Sequence, residues 1–175
     1  MKKHVALTGF MAAGKSTIAS KLARKLQVPF YDVDDRIVRG HGAISDIFYA
    51  QGEAAFREFE FETIQGIVES EAPGIIALGG GAVTHDATLK LLKKRTYRVF
   101  IKVPPEQLLG RLRRSKRVRP LVGPTPSLAR IKELYMQRLP RYAHADFVVE
   151  ADDLSTSVIV DRIAEWLARK NITLE

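Results

Sequence analysis

Short apolar runs alternate along the chain with longer stretches whose apolar residues recur every three or four positions, the pattern of buried strands separated by helices. The runs are His4 to Thr8, Val28 to Val33, Ile75 to Leu78, Tyr97 to Val103, and Phe147 to Val149. Ile18, Ala19, Leu22, Ala23 and Leu26 predict a helix that starts near Lys15. Ile44 to Gln51 predicts a short helix with Ser45 or Asp46 near its start. Phe56, Phe59, Thr63, Ile64, Ile67 and Val68 predict a longer one from about Gly52 to Glu71, ended by Pro73-Gly74. Further helices run through Leu89, Leu91 and Leu92, from Pro104-Pro105 through Leu108, Leu109 and Leu112, and through Val158, Ile159, Ile163, Trp166 and Leu167. Ser127 can cap another, with Leu128, Ile131, Leu134 and Tyr135 turned inward. The alternation predicts one doubly wound α/β domain over residues 1–175, with a five-stranded, mostly parallel sheet flanked by helices. Only the segment from Arg114 to Pro126 breaks the rhythm, with three prolines and no periodicity, and it predicts a mobile active-site lid at about 112–126.

Ligands of such sheets bind beyond the carboxyl ends of the strands. There the first run meets Gly9-Phe10-Met11-Ala12-Ala13-Gly14-Lys15-Ser16-Thr17, a complete GxxxxGK[ST] phosphate-binding loop between a strand and a helix. Such a turn aims consecutive backbone N–H groups, and the positive end of the helix, at one point. Gly9 and Gly14 permit the close approach, Lys15 can reach the β- and γ-phosphates, and Ser16 can ligate Mg²⁺. The expected ligand is a nucleoside triphosphate.

Composition narrows the remaining choices. The absence of cysteine excludes disulfides, thiolate metal sites and thiol nucleophiles, and the four histidines are scattered, which leaves oxygen-bound Mg²⁺. No apolar run has the length of a membrane span and Met1-Lys2-Lys3 leads directly into a strand, so a soluble cytoplasmic protein is expected. A monomer is expected as well. The net charge of +8 is concentrated in Arg111, Arg113, Arg114, Lys116, Arg117 and Arg119, with no aromatic residue among them to stack on bases. Beside a triphosphate site, that cluster is expected to face the nucleotide rather than a nucleic acid.

The other strand ends supply the remaining chemistry. Asp32 and Asp34 are expected on one face of an extended segment, where one steadies metal-bound water and the other accepts a hydroxyl proton. The plainer alternative is that Asp34 or Asp35 caps a following helix. Gly79, Gly80 and Gly81 would let backbone N–H groups approach a small ligand. Arg57 and Glu60, three apart on a helix, would by themselves be a surface ion pair, and Arg138 would pass for surface charge.

These residues together resemble the shikimate kinases, small P-loop kinases that phosphorylate the 3-hydroxyl of shikimate. The likeness rests on the GFMAAGKST loop, Phe30 to Asp34, the stretch Gly52 to Glu60, Leu78 to Gly81, Arg119-Pro120-Leu121-Val122, and Arg138 shortly before Tyr142. It implies a P-loop NTPase fold of the nucleoside-monophosphate-kinase type, with a substrate-binding helical region at about 34–60. Asp34 would bind the acceptor hydroxyls and serve as base, and Asp32 with Ser16 would belong to the magnesium shell. Arg57 and Arg138 would clamp the shikimate carboxylate, Glu60 would orient Arg57, and Gly79, Gly80 and Gly81 would line the substrate. Gly9, Ala12, Ala13, Gly14, Lys15, Ser16 and Thr17 would bind ATP, and Arg119 would swing in on the lid, lying away from the phosphates until closure. Many members have glycine where this chain has Ala12. Arg111 and Arg113 compete for the family's adenine-stacking position before the lid, and Arg111 is assigned to it.

Three rival functions keep part of this pattern. A gluconate kinase or nucleoside monophosphate kinase shares loop and fold but does not require Arg57 and Arg138 as a carboxylate clamp. A GTP switch needs an Asn-Lys-x-Asp motif, yet the only asparagine is Asn171. A nucleic-acid-dependent ATPase is favoured by net charge alone.

Overall fold

The computed structural model describes residues 2–116 and 119–174. β1 (His4–Thr8) is buried along its whole length because it lies at the centre of the sheet. Around it are ordered β2 (Phe30–Asp32), β3 (Ile75–Ala77), β4 (Thr96–Lys102) and β5 (Phe147–Glu150), in the sequence β2-β3-β1-β4-β5. Every pairing is parallel, with Val5 opposite both Ile75 and Tyr97. A central strand covered on both faces has no side that tolerates polar residues, hence the continuous apolar run.

The crossovers are α1 (Lys15–Leu26), α2 (Val33–His41), α3 (Ile44–Ser70), α4 (Asp86–Arg95), α5 (Pro105–Arg114), α6 (Leu128–Ala143) and α7 (Thr156–Arg169). α1 packs on α7, α3 on α2 and α4, and α5 on α6. Ile18, Leu22, Ile64, Ile67 and Leu92 of the helices and Leu7, Ile75, Ile76 and Phe100 of the strands are all fully buried in one core. Ser127 caps α6 by accepting from the Arg130 N–H at 3.2 Å, as its position predicts.

Two departures shape the site. α2 has no counterpart in the periodicity, because only Val33 and Ile37 of its nine residues are buried and the rest is mostly charged. Asp32 is the last residue of β2 and the N-cap of α2, accepting from the Asp35 N–H at 3.2 Å, while Asp34 occupies the first helical turn. The two carboxylates therefore do not share one face of an extended segment, and the capping aspartate is neither Asp34 nor Asp35. α3 runs through both expected helices but breaks at Gly52, whose φ of 83° and ψ of 175° bend the chain between the short arm 44–51 and the long arm. Among the described residues, no helix is long and apolar enough to cross a membrane.

Candidate active site

The strand order turns about β1, and the crevice at that switch point receives the loop between β1 and α1. Gly9 is forced by space, since a Cβ there would come within 2.7 Å of the Ile101 carbonyl oxygen. Gly14 is forced by conformation: its φ of 92° sends the chain into α1 with no side-chain cap, leaving the first-turn N–H groups facing the loop. Ala12 has a φ of 63°, a left-handed conformation that costs an alanine about 1 kcal/mol.

Lys15 is buried inside the loop, and its Nζ donates to the carbonyls of Gly9 at 2.8 Å and Phe10 at 2.9 Å. Burial pulls its pKa down to about 8, helped by Arg119 and Arg138 and opposed by Asp34 and Asp32. Four charged groups from distant parts of the chain thus act on one ammonium. Ser16 Oγ donates to Asp32 Oδ2 at 2.5 Å, so strand end and loop meet there. Ala12, Gly14, Lys15, Ser16, Thr17, Asp32 and Asp34 line this pocket, while Ala13 is buried behind it. Arg111 Nη1 donates to the carbonyls of Ala12 at 3.3 Å and Ala13 at 3.2 Å, whereas Arg113 is exposed.

A second pocket adjoins the first, and Met11, Asp34, Gly80 and Arg119 line both. Apart from Arg119, its charged walls come from helices. Arg57 and Glu60 are 7% and 0% exposed, joined at 2.7 Å, and Glu53 accepts from Arg57 Nη2 at 3.1 Å. The pair is therefore in the interior, unlike the surface pair that its spacing alone would suggest. Burial pushes Glu60 up to about 7 against the pull of Arg57. For Arg57, burial lowers the pKa, but the charges and hydrogen bonds of Glu60 and Glu53 outweigh it and the net shift is upward.

The glycine run explains how these groups fit. A Cβ on Gly79 would strike the Glu60 carboxylate, one on Gly81 the Arg57 guanidinium, and one on Gly80 would lie 2.9 Å from the Met11 nitrogen. Arg138 is also interior, 4% exposed, with its guanidinium 5.5 Å over the Phe10 ring. Its Nη1, the Nε of Arg57 and Oε1 of Glu60 are buried with no hydrogen-bond partner among the described residues.

Arg119 lines both pockets and acts electrostatically on Lys15, so its side chain is turned towards the phosphate loop. A turn fixes it there: the Arg119 carbonyl accepts from Val122 and Gly123, and Val122 is buried. Arg117 lies outside the described residues. Pattern reasoning misses the apolar wall of Ile44, Phe48, Phe56, Pro120 and Leu121, because an apolar residue on a helix signals core before it signals ligand. Glu53 had a usable signal in its spacing of four from Arg57.

The comparisons with known proteins follow the same outline. The sequence model of the family described as shikimate kinase matches residues 11–168. The shikimate kinase of Aquifex aeolicus is 39% identical over 157 residues, covering 89% of this chain and 91% of that one. The shikimate kinase of Caldicellulosiruptor bescii is 34% identical, covering 92% and 93%. Among solved structures, shikimate kinase from Acinetobacter baumannii in complex with shikimate superposes with a TM-score of 0.90 at 30% identity, covering 99% of this chain and 97% of that one. The enzyme of Bacteroides thetaiotaomicron superposes at 0.85 with 33% identity, covering 94% and 98%.

Proposed function

The chain belongs to the shikimate kinase family, an ATP-dependent kinase of shikimate, and on that premise we propose how its own residues divide the reaction. The loop from Gly9 to Thr17 holds the triphosphate, with Lys15 leaving the Gly9 and Phe10 carbonyls for phosphate oxygens. Arg111, which packs on the loop carbonyls, is the better placed of the two arginines for the nucleotide. Arg57 and Arg138 clamp the acceptor's carboxylate. The observation that carries this is the buried Arg138 Nη1, a charged donor with no hydrogen-bond partner among the described residues, in a residue that lines the same pocket as Arg57.

Asp34 sits where the two pockets join. It accepts the proton of the acceptor hydroxyl as that oxygen bonds to the γ-phosphorus. The bond from phosphorus to the β–γ bridging oxygen breaks, and its electron pair leaves on ADP. Arg119 and Lys15 stabilise the charge that spreads over the transferring group. Gly80 and the apolar wall position the acceptor.

The oxygen donors fit Mg²⁺. Ser16 Oγ and Asp32 Oδ2 adjoin at the loop, and no cluster of three or more His, Cys, Asp or Glu forms a metal cage among the described residues. An ion that keeps waters and phosphate ligands needs no more protein than this. When bound, Mg²⁺ neutralises phosphate charge.

Residues about 112–126 act as the lid and 34–60 as the acceptor-binding region, in a cytoplasmic monomer. Sizing chromatography at the mass of one 19.6 kDa chain checks the last point. Release of ADP from ATP and Mg²⁺, measured against shikimate, gluconate and nucleoside monophosphates, tests the function: turnover with shikimate alone is expected, and turnover with gluconate instead would overturn it.

A further inference from the structure

Tyr142 ends the motif that begins at Arg138, and no step of the transfer uses it. It lies four residues after Arg138 on α6, hence on the same helical face. Pro140 stands between them, in the last turn of the helix. Tyr142 is fully buried, and its ring stacks on Phe100 of β4 at 5.0 Å and 23°. Stacking needs only a phenyl ring. The hydroxyl does something else: it donates to the carbonyl of Gly80, and its oxygen also interacts with the Arg138 guanidinium.

Both partners belong to the acceptor pocket. Gly80 lies against the Met11 backbone of the phosphate loop, so its peptide cannot turn without disturbing the contact between the two pockets. Arg138 spans from Tyr142 to the Phe10 ring, also in that loop. A phenol has one proton to donate and lone pairs to accept with, which suits a carbonyl on one side and a guanidinium on the other. We propose that Tyr142 is a positioning residue, whose hydroxyl sets the Gly80 peptide and the Arg138 guanidinium in register so that both meet the same acceptor molecule. This rests on the acceptor clamp described above. Burial pushes the phenol pKa up to about 12, so the hydroxyl stays a donor throughout the working pH range.

Tyr142→Phe keeps the stacked ring and removes the hydroxyl. Leaving a buried carbonyl and guanidinium without their link should weaken shikimate binding about tenfold. Binding of ATP should change less than twofold, because the phosphate loop has its own backbone contacts. Titration of wild type, Tyr142→Phe, Arg138→Ala and the double variant, with shikimate and with ATP separately, tests it. The effect of Tyr142→Phe on shikimate should shrink to about threefold or less in the Arg138→Ala background, where the hydroxyl has only the Gly80 peptide left to set. Equal losses for shikimate and ATP, unchanged shikimate affinity, or full additivity in the double variant would each overturn the role. The wild-type titration reports separately on the function: if it bound ATP but not shikimate, the clamp itself would be wrong and the positioning role would fall with it.

Discussion

The two pockets meet at Asp34 and Gly80, yet they are built in opposite ways. The phosphate pocket is local, formed by nine consecutive residues in which the backbone is the recognition surface and Gly9 and Gly14 are needed for space and φ. The acceptor pocket is assembled from side chains as far apart as Asp34 and Arg138, and its walls include the buried charges of Arg57, Glu60 and Arg138. Backbone N–H groups and a helix terminus can hold phosphate in many proteins with little change. Buried guanidinium groups hold one shape of anion and are costly to leave unpaired. On the proposed assignment, the catalytic class resides in the first pocket and the choice of acceptor in the second.

Breaking the first pocket should have the largest effect. Lys15→Met should lower turnover by on the order of 10³-fold or more, because the phosphate charge is no longer met. It should also raise the melting temperature of the free protein at pH 7 by a few degrees. The sign follows from a folded pKa of about 8 lying below the ordinary 10.5. At pH 7 Lys15 is protonated folded and unfolded, so the folded state bears the whole cost of burying the charge. That cost is relieved as pH rises from about 8 towards 10.5, which the Met variant should not show. Thermal scans from pH 6 to 10 on both proteins check it, and a lower melting temperature for Lys15→Met at pH 7 would contradict it.

Arg119 belongs to both pockets, so it is the sharpest probe of where they join. Arg119→Ala should lower kcat by on the order of 10³-fold with far smaller changes in either dissociation constant, as for an arginine that acts on transition-state charge. Lysine should rescue poorly, since it lacks the planar fork. Steady-state kinetics with separate ligand titrations decide; near-wild-type kcat would remove Arg119 from the transfer.

Damage confined to the second pocket should be smaller and selective. Arg57→Ala should weaken shikimate by about 10²-fold while ATP affinity stays within about twofold, because a lost bidentate contact acts on the acceptor. Calorimetric titration of each ligand measures both. Equal losses would mean that α3 had been damaged, rather than a clamp.

How far these pockets could be read in advance follows from the same contrast. The loop, the five strands and the Ser127 cap were legible because each rests on neighbouring residues. The burial of Arg57 and Glu60 was not, for their spacing of three looks identical on a surface helix and only the resemblance distinguished them. α2 escaped because it buries two residues out of nine, too few to set a period. With it went the geometry of Asp32 and Asp34, one a cap and the other in a first turn. The inward placement of Arg119 depends on a turn at Val122 and Gly123 that proline content alone describes merely as loop.

The smallest effect probes the backbone of the first pocket. Ala12→Gly relieves a left-handed alanine and should stabilise the protein by about 1 kcal/mol, less the entropy that glycine adds to the unfolded chain. Chemical denaturation would show it, and kcat should remain within about twofold. A loss of stability would mean that the Ala12 methyl contributes more by packing than its φ costs.

In the proposed reading, the acceptor is chosen by two buried guanidinium groups meeting one carboxylate. It is tested most directly by titrating the enzyme with shikimate and with its methyl ester, which keeps the ring and hydroxyls but removes the charge. The ester should bind about 10²-fold more weakly to the wild type, and the gap should narrow to about tenfold or less in Arg57→Ala. Equal affinity of the wild type for acid and ester would contradict the clamp.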